Sequence, residues 1–137
     1  MSDQRPVIEW RAPVNSAEVN RLHADAFEHR VYTDDEWPWA DHLAERSMGW
    51  CTARSEGALV GFLNVVTDGF VHAWIQDVIV ASDAQGSGIG RALVDEAVTR
   101  TRAAGCEWLH VDFDDDHADF YLRVCGFAPA QAGLIEL

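Results

Sequence analysis

The sequence predicts a single α/β (α+β) domain, residues 1–137, organised around a mixed sheet, and three observations carry that expectation. A run rich in β-branched and aromatic residues, Phe70 to Ala81, leads through a glycine-rich turn into an amphipathic stretch, Ser87 to Ala104. Two tight-turn signals, Glu56-Gly57 and Asp68-Gly69, separate further strand-like runs. The length of 137 residues, 48% of them apolar, suits one core and leaves little for a second.

The elements follow in order. Pro6 to Trp10 reads as an opening strand. Asn15 or Ser16 caps a helix whose apolar face is Val19, Leu22, Ala26 and Phe27. An acidic, aromatic connection, Tyr32 to Trp39, is kept from continuing as helix by Pro38, and a second short helix runs from about Trp39 to Met48. Gly49 to Arg54 and Ala58 to Thr67 flank the first turn as a hairpin. Phe70 to Ala81 is the well-buried strand. In the helix from Ser87 to Ala104, Ile89, Leu93, Val94, Ala97 and Val98 form the stripe, and Gly105 ends it. Glu107 to Phe113 alternates as a strand, His117 to Cys125 is a short helix, and Gly126 to Leu137 closes with a last strand or two.

Composition narrows the function. No stretch approaches the roughly 20 apolar residues of a membrane span, and Met1 to Arg5 lacks the apolar core of a secretory signal. Cys51, Cys106 and Cys125 are odd in number without paired spacing, which argues against a disulfide framework and for a reducing, cytoplasmic setting. The formal net charge is −13, and all ten cations are arginine. Such a surface repels nucleic acid and attracts cationic ligands, amines among them, while also serving solubility. With no lysine there is no phosphate-loop lysine and no Schiff-base lysine.

The chemistry concentrates in Gln76 to Arg91, a buried strand, a turn and a helix start. Gly86, Gly88 and Gly90 let the backbone approach a ligand, and the first helical amides with the helix dipole make an anion site suited to a pyrophosphate. A dinucleotide fingerprint G-x-G-x-x-G fails in both registers, because Arg91 or Leu93 stands at the third position. What remains is Gln-x-x-Gly-x-Gly, at Gln85, Gly88 and Gly90.

This segment, Gln85-Gly86-Ser87-Gly88-Ile89-Gly90-Arg91-Ala92-Leu93, resembles the acetyl-CoA pyrophosphate loop of the GNAT superfamily of N-acetyltransferases. Asp77-Val78-Ile79-Val80 resembles that family's fourth strand, and Phe120-Tyr121 followed by Gly126-Phe127 resembles its aromatic helix with a trailing Gly-Phe. The resemblance implies a mixed, mostly antiparallel sheet of about six to seven strands flanked by about four helices. It implies acetyl-CoA as cofactor, with Val78, Ile79 and Val80 on the pantetheine arm and Gln85, Gly86, Ser87, Gly88, Ile89, Gly90 and Arg91 on the pyrophosphate. A bulge near the end of the strand is expected to open a cleft for the thioester.

Acyl transfer to an amine needs a proton acceptor, donors for the oxyanion and an acid for the departing thiolate. The resemblance puts Tyr121 beside the cofactor sulfur as that acid, or else it is a core aromatic. Four residues, Leu122 to Cys125, separate Tyr121 from Gly126-Phe127, one more than the family pattern. An extra helical residue turns a side chain by about 100°. Asp77 is the candidate base or amine anchor, and the alternative is a structural partner for an arginine. Strand alternation puts it on the side of Ile75 and Ile79, up to any bulge. The stretch Gln76 to Val80 is also similar to the matching strand of glucosamine-phosphate N-acetyltransferases, whose acidic pair Gln76 interrupts. Trp37, Trp39 and Asp35 lie where the family's substrate-side loop lies, and aromatics beside carboxylates suit a cationic amine. The competing reading, which the composition favours slightly, is a solvated acidic loop pinned by tryptophan burial. His72 is a further candidate base.

The acids Asp112, Asp114 and Asp116 with His110 and His117 fit neither a calcium loop nor a zinc spacing, so no metal is expected, and they read as caps for the following helix. The functional expectation is transfer of acetyl to a primary amine of a small, cationic molecule or peptide by direct attack on the thioester. The alternative is a catalytically silent acyl-CoA-binding sensor or partner module. Acidity favours polyamines, aminoglycosides or basic peptide ends over anionic sugars. A homodimer is expected through the edge of Leu134-Ile135-Glu136-Leu137.

Overall fold

The computed structural model describes residues 5–137, so the polar N-terminal stretch before Arg5 lies outside the described residues. The elements run β1 (Val7–Trp10), α1 (Ser16–Phe27), α2 (Trp39–Arg46), β2 (Gly49–Ser55), β3 (Ala58–Thr67), β4 (His72–Val80), α3 (Ile89–Ala103) and β5 (Trp108–Val111). A short 3-10 turn, Ser82–Ala84, sits between β4 and α3, and another, Asp115–His117, follows β5 and leads into a π-helix, Asp119–Val124. The sheet order is β1-β2-β3-β4-β5, antiparallel except for the parallel pair of β4 with β5. No helix among the described residues is long and apolar enough to cross a membrane.

Both sheet faces are covered. On one, Ile89, Leu93, Val94 and Ala97 of α3 pack on Cys51, Ala53, Leu63, Val65, Ala73 and Ile75. On the other, Val19 and Leu22 of α1 and Trp39 and Leu43 of α2 pack on Trp50, Phe62 and Ile79. At the start of α1, Asn15 is the cap: its side chain accepts from the Glu18 amide and its own amide donates to the Glu18 carboxylate. Ser16 serves elsewhere, accepting from the Ala40 amide and tying α2 to α1. Arg54 donates to both Glu18 carboxylate oxygens, at 2.9 and 2.8 Å, and locks α1 to β2.

The structure departs from expectation at the C-terminus. Among the described residues the sheet has five strands, and Gly126 to Leu137 contributes none. Residues 128–133, Ala-Pro-Ala-Gln-Ala-Gly, are poor strand formers, and Pro129 has no amide to donate. Leu134, Ile135 and Leu137 are exposed, so the strand edge expected to support pairing of two copies is not formed. Phe27, expected on the apolar face of α1, is half exposed at its end. The helix expected over His117 to Cys125 is the 3-10 turn and the π-helix.

Candidate active site

The site is created by a bulge in β4. Gln76 pairs with Asn64 and Ile79 pairs with Phe62, so Asp77 and Val78 stand opposite the single residue Leu63. Asp77 takes up the irregularity with φ 55, a left-handed conformation that aspartate tolerates better than most residues. The extra residue reverses the alternation. Ile75 faces α3 whereas Ile79 faces α1 and α2, which corrects the expectation that these two share a side. Asp77 turns toward α1, where its Oδ1 lies 3.9 Å from His23 Nε2. Pairing of β4 with β5 ends at Ile75 with Val111, so from Gln76 onward the edge of β4 facing β5 has no strand partner.

Two clefts open at this parting. The larger, about 620 Å³, is lined by Val78 and Val80, by Ala84 to Gly86 and Gly88 to Arg91 of the loop and helix start, with Ser87 outside the lining, and by Phe120, Tyr121 and Val124. The loop is held from several sides. Asp25 of α1 accepts from the Ser82 amide at 2.7 Å and from its hydroxyl at 2.9 Å. The Gln85 side chain donates to the Val80 carbonyl, and the Ser87 hydroxyl donates to the Ala84 carbonyl. Gly88, with φ 87, caps α3, and a Cβ built there meets no atom within 4 Å. That leaves open space over the turn, which a larger residue would fill. The first turn of α3 carries Arg91 and no acidic residue. Open backbone, helix amides and a guanidinium fit the pyrophosphate of a coenzyme A thioester. Gly90 has a different reason: a Cβ would lie 3.1 Å from the Phe120 ring, so it lets the π-helix pack close. Ile79 is buried in the core and lines neither cleft.

The second cleft, about 440 Å³, is lined by Phe27, the bulge residues Gln76, Asp77 and Val78, Phe113 and the carboxylates Asp112 and Asp114. Val78, His117 and Tyr121 border both clefts. Tyr121 reaches this position because of the π-helix. The Cys125 amide donates to the Phe120 carbonyl and the Phe127 amide to the Tyr121 carbonyl, in place of α-helical spacing. A π-turn takes one more residue than an α-turn. It absorbs the extra residue before Gly126-Phe127, and the rotation that would turn Tyr121 away does not occur. Its ring stacks on Phe113 with centroids 5.2 Å apart, and burial pushes its phenol up to about 12, so it is a protonated donor at neutral pH. Burial likewise pushes the Asp77 carboxyl above its usual range, against opposing charge from His23 and His42. His117 pairs with Asp114 at 2.5 Å.

The remaining expected residues lie elsewhere. Trp39 is buried, edge-on to Phe62, and Trp37 stacks between Tyr32 and Trp39. The buried Asn20 side chain donates to the Thr33 and Trp37 carbonyls and pins this connection. Neither tryptophan lines a cleft, nor does the exposed Asp35. His72 contacts His110 at 2.7 Å beside Trp74, at the far end of β4. Phe27, Phe113, Asp112 and Asp114 were not expected in a cleft with Asp77, since they come together only through the fold. Neither Cys51, pushed up to about 12 by burial, nor Cys125, pushed up to about 11, lines a cleft or forms thiolate at neutral pH.

A parted parallel strand pair, with a glycine-capped helix start on one side of the parting and a carboxylate-lined cleft on the other, agrees with the acyltransferase fold that the sequence resembles. The chain matches the Acetyltransferase (GNAT) family over residues 16–127 and belongs to it. It is 34% identical over 74 residues to serotonin N-acetyltransferase 2, chloroplastic, of Oryza sativa subsp. japonica, a match covering 54% of this chain and 36% of that protein. A GNAT family acetyltransferase of Streptococcus pneumoniae TIGR4 superposes with a TM-score of 0.73 at 26% identity, covering 96% of this chain and 97% of that one. An aminoglycoside acetyltransferase from an uncultured soil metagenomic sample superposes with a TM-score of 0.76 at 24% identity, covering 98% and 97%, and shares the fold.

Proposed function

We propose that the protein transfers the acetyl group of acetyl-CoA to a primary amine of a small, positively charged molecule or peptide, by direct attack on the thioester. One observation carries this reading: two clefts of opposite character share Val78, His117 and Tyr121 at their junction. The coenzyme supplies the activated acetyl group. The freed edge of β4 at Val78, Ile79 and Val80 aligns the pantetheine arm, and Gln85 to Arg91 hold the pyrophosphate. Asp77, Asp112 and Asp114 draw the ammonium group of the acceptor into the second cleft, and Phe27 and Phe113 supply aromatic walls. Asp77 orients the amine and takes part in removing its proton. Tyr121 donates its proton to the departing sulfur. The absence of a thiolate from both clefts favours direct attack over an acyl-cysteine route.

The names of two relatives, one acting on serotonin and one on aminoglycosides, set the first acceptors to test. Release of free thiol from acetyl-CoA is to be followed across serotonin, spermidine, an aminoglycoside and glucosamine 6-phosphate. The cationic amines are expected to turn over and the anionic sugar to lag by at least about tenfold. Tight acetyl-CoA binding with no turnover on any amine would replace this reading with a silent acyl-CoA-binding module. Preference for the phosphosugar would overturn the assignment of the acidic cleft to the acceptor.

A further inference from the structure

Behind Asp77 lies a pair of histidines on which the roles so far described make no demand. His23 of α1 points Nε2 at Asp77 Oδ1, 3.9 Å away, and its Nδ1 lies 2.6 Å from His29 Nε2. The other nitrogen of His29, Nδ1, lies 2.5 Å from the Arg30 carbonyl. These contacts fix the protons. A carbonyl only accepts, so His29 Nδ1 carries hydrogen and, in the neutral ring, His29 Nε2 is bare. His23 Nδ1 therefore donates to it, and the lone pair of His23 Nε2 faces Asp77. One backbone carbonyl sets the tautomer of two rings in series. The Phe27 ring, which lines the acceptor cleft, packs against His23 with centroids 4.6 Å apart, and Trp39 closes the far side at 6.1 Å.

We propose that His23, oriented by His29, is the terminal proton acceptor of the amine and that Asp77 hands the proton on to it. The inference rests on the N-acetyltransferase reading above. An ammonium acceptor gives one proton to the Asp77 carboxylate, which passes it to His23 Nε2 once the 3.9 Å between them closes to hydrogen-bond length in the loaded complex. The resulting imidazolium is balanced by the Asp77 carboxylate and keeps its Nδ1–H on His29, and the proton leaves to solvent. The neutral amine then forms the C–N bond as the C–S bond breaks, and its second proton reaches sulfur by way of the Tyr121 hydroxyl. The sum is ammonium plus acetyl thioester giving amide, thiol and one released proton. His23 suits the task because burial, the largest influence, and His29 hold its pKa down while Asp77 opposes them, so the ring is neutral and receptive near pH 7. The charged or titratable neighbours of this chain are Asp77 and His29 around His23, and His23 and His42 around Asp77. His29 acts through His23 and is a positioning residue.

The test combines a spectrum with kinetics. ¹⁵N imidazole spectra of the wild-type protein at pH 7.5 are expected to show both His23 and His29 as the Nδ1–H tautomer; a His23 Nε2–H tautomer would overturn the proposal whatever the substrate. His23→Gln is expected to lower kcat on an alkylamine by about 10²-fold at pH 7, with recovery as pH rises and the amine deprotonates in solution. On a weakly basic amine, already neutral at pH 7, the same variant is expected to lie within about threefold of wild type, a selectivity that damage to the fold would not produce. Equal losses on both amines, or an unchanged pH profile on the alkylamine, would overturn the relay. Acetyl-CoA affinity, expected to stay unchanged in His23→Gln, separates this from failure of the underlying reading, in which wild type itself shows no turnover.

Discussion

The proposed cofactor cleft comes almost entirely from one contiguous stretch, Val78 to Arg91, completed by the π-helix, whereas the proposed acceptor cleft is gathered from the end of α1, the bulge, the end of β5 and the turn after it. Their charge differs as sharply. A chain of net charge −13 keeps every carboxylate out of the lining of the first and places Asp77, Asp112 and Asp114 in the second. The pyrophosphate end needs only local backbone geometry, namely a turn with open space above it and a helix start free of acids. The amine end needs a field, and a field is assembled from side chains far apart in sequence.

The largest expected effect separates the two clefts. Gly88→Val puts a branched side chain into the open space over the turn at φ 87, and acetyl-CoA affinity measured by calorimetry should fall by at least about 100-fold. An affinity within threefold of wild type in the folded variant would break the assignment. Next comes the junction. Tyr121→Phe keeps the ring stacked on Phe113 but removes the hydroxyl, and kcat should fall by about 10- to 100-fold with acetyl-CoA affinity unchanged. A loss in affinity instead would make the residue a packing element.

Asp77→Asn sharpens the comparison by opposing stability and activity. Burial raises the Asp77 pKa above its unfolded value, so the native state holds this proton more tightly, and the stabilising contribution is lost as pH rises through the raised pKa. At neutral pH the ionised carboxylate therefore opposes folding, and asparagine, which also tolerates φ 55, should raise the melting temperature while lowering kcat by about 10²-fold. Wild-type kcat/KM should fall as pH drops through the same pKa. A variant less stable than wild type would contradict the desolvated carboxylate. The smallest effect is expected from Asp112→Asn combined with Asp114→Asn. The KM for a dication should rise about three- to fivefold, as exposed charges permit, and the KM for a monocation should move less.

The same contrast explains what was legible in the sequence. The strand, turn and helix of the cofactor cleft could be read because their signals are contiguous: β-branched residues, then glycines, then a 3.6-residue stripe. The extra residue after Tyr121 was visible as a count, but whether a helix absorbs it by widening one turn is a tertiary matter, settled here by Gly90 admitting the Phe120 ring. The bulge was expected from the resemblance alone; its place left no mark in the sequence beyond an aspartate in an apolar run, and it inverted the facing of Ile79 relative to Ile75. Trp39 drew attention as an aromatic beside acids, yet its area was more useful against Phe62. His23 and His29, six residues apart across a helix end, carry no periodic signal that would pair them. The expected last strand failed because alternation at Leu134 to Leu137 follows a proline and a glycine in a segment too weak to join β5.

The central claim is that the two clefts meet at Tyr121, and a bisubstrate conjugate tests it most directly. In such a compound a two-carbon acetyl unit bridges the partners, its methylene carbon bonded to the sulfur of coenzyme A and its carbonyl carbon to the nitrogen of the best acceptor amine, so both clefts must be filled at once. The conjugate is expected to bind at least about 100-fold more tightly than coenzyme A by calorimetry, since the second contact becomes intramolecular, and to lose most of that gain in Asp77→Asn. An affinity no better than that of coenzyme A itself would contradict the account, because the acidic cleft would then not be where the acceptor sits.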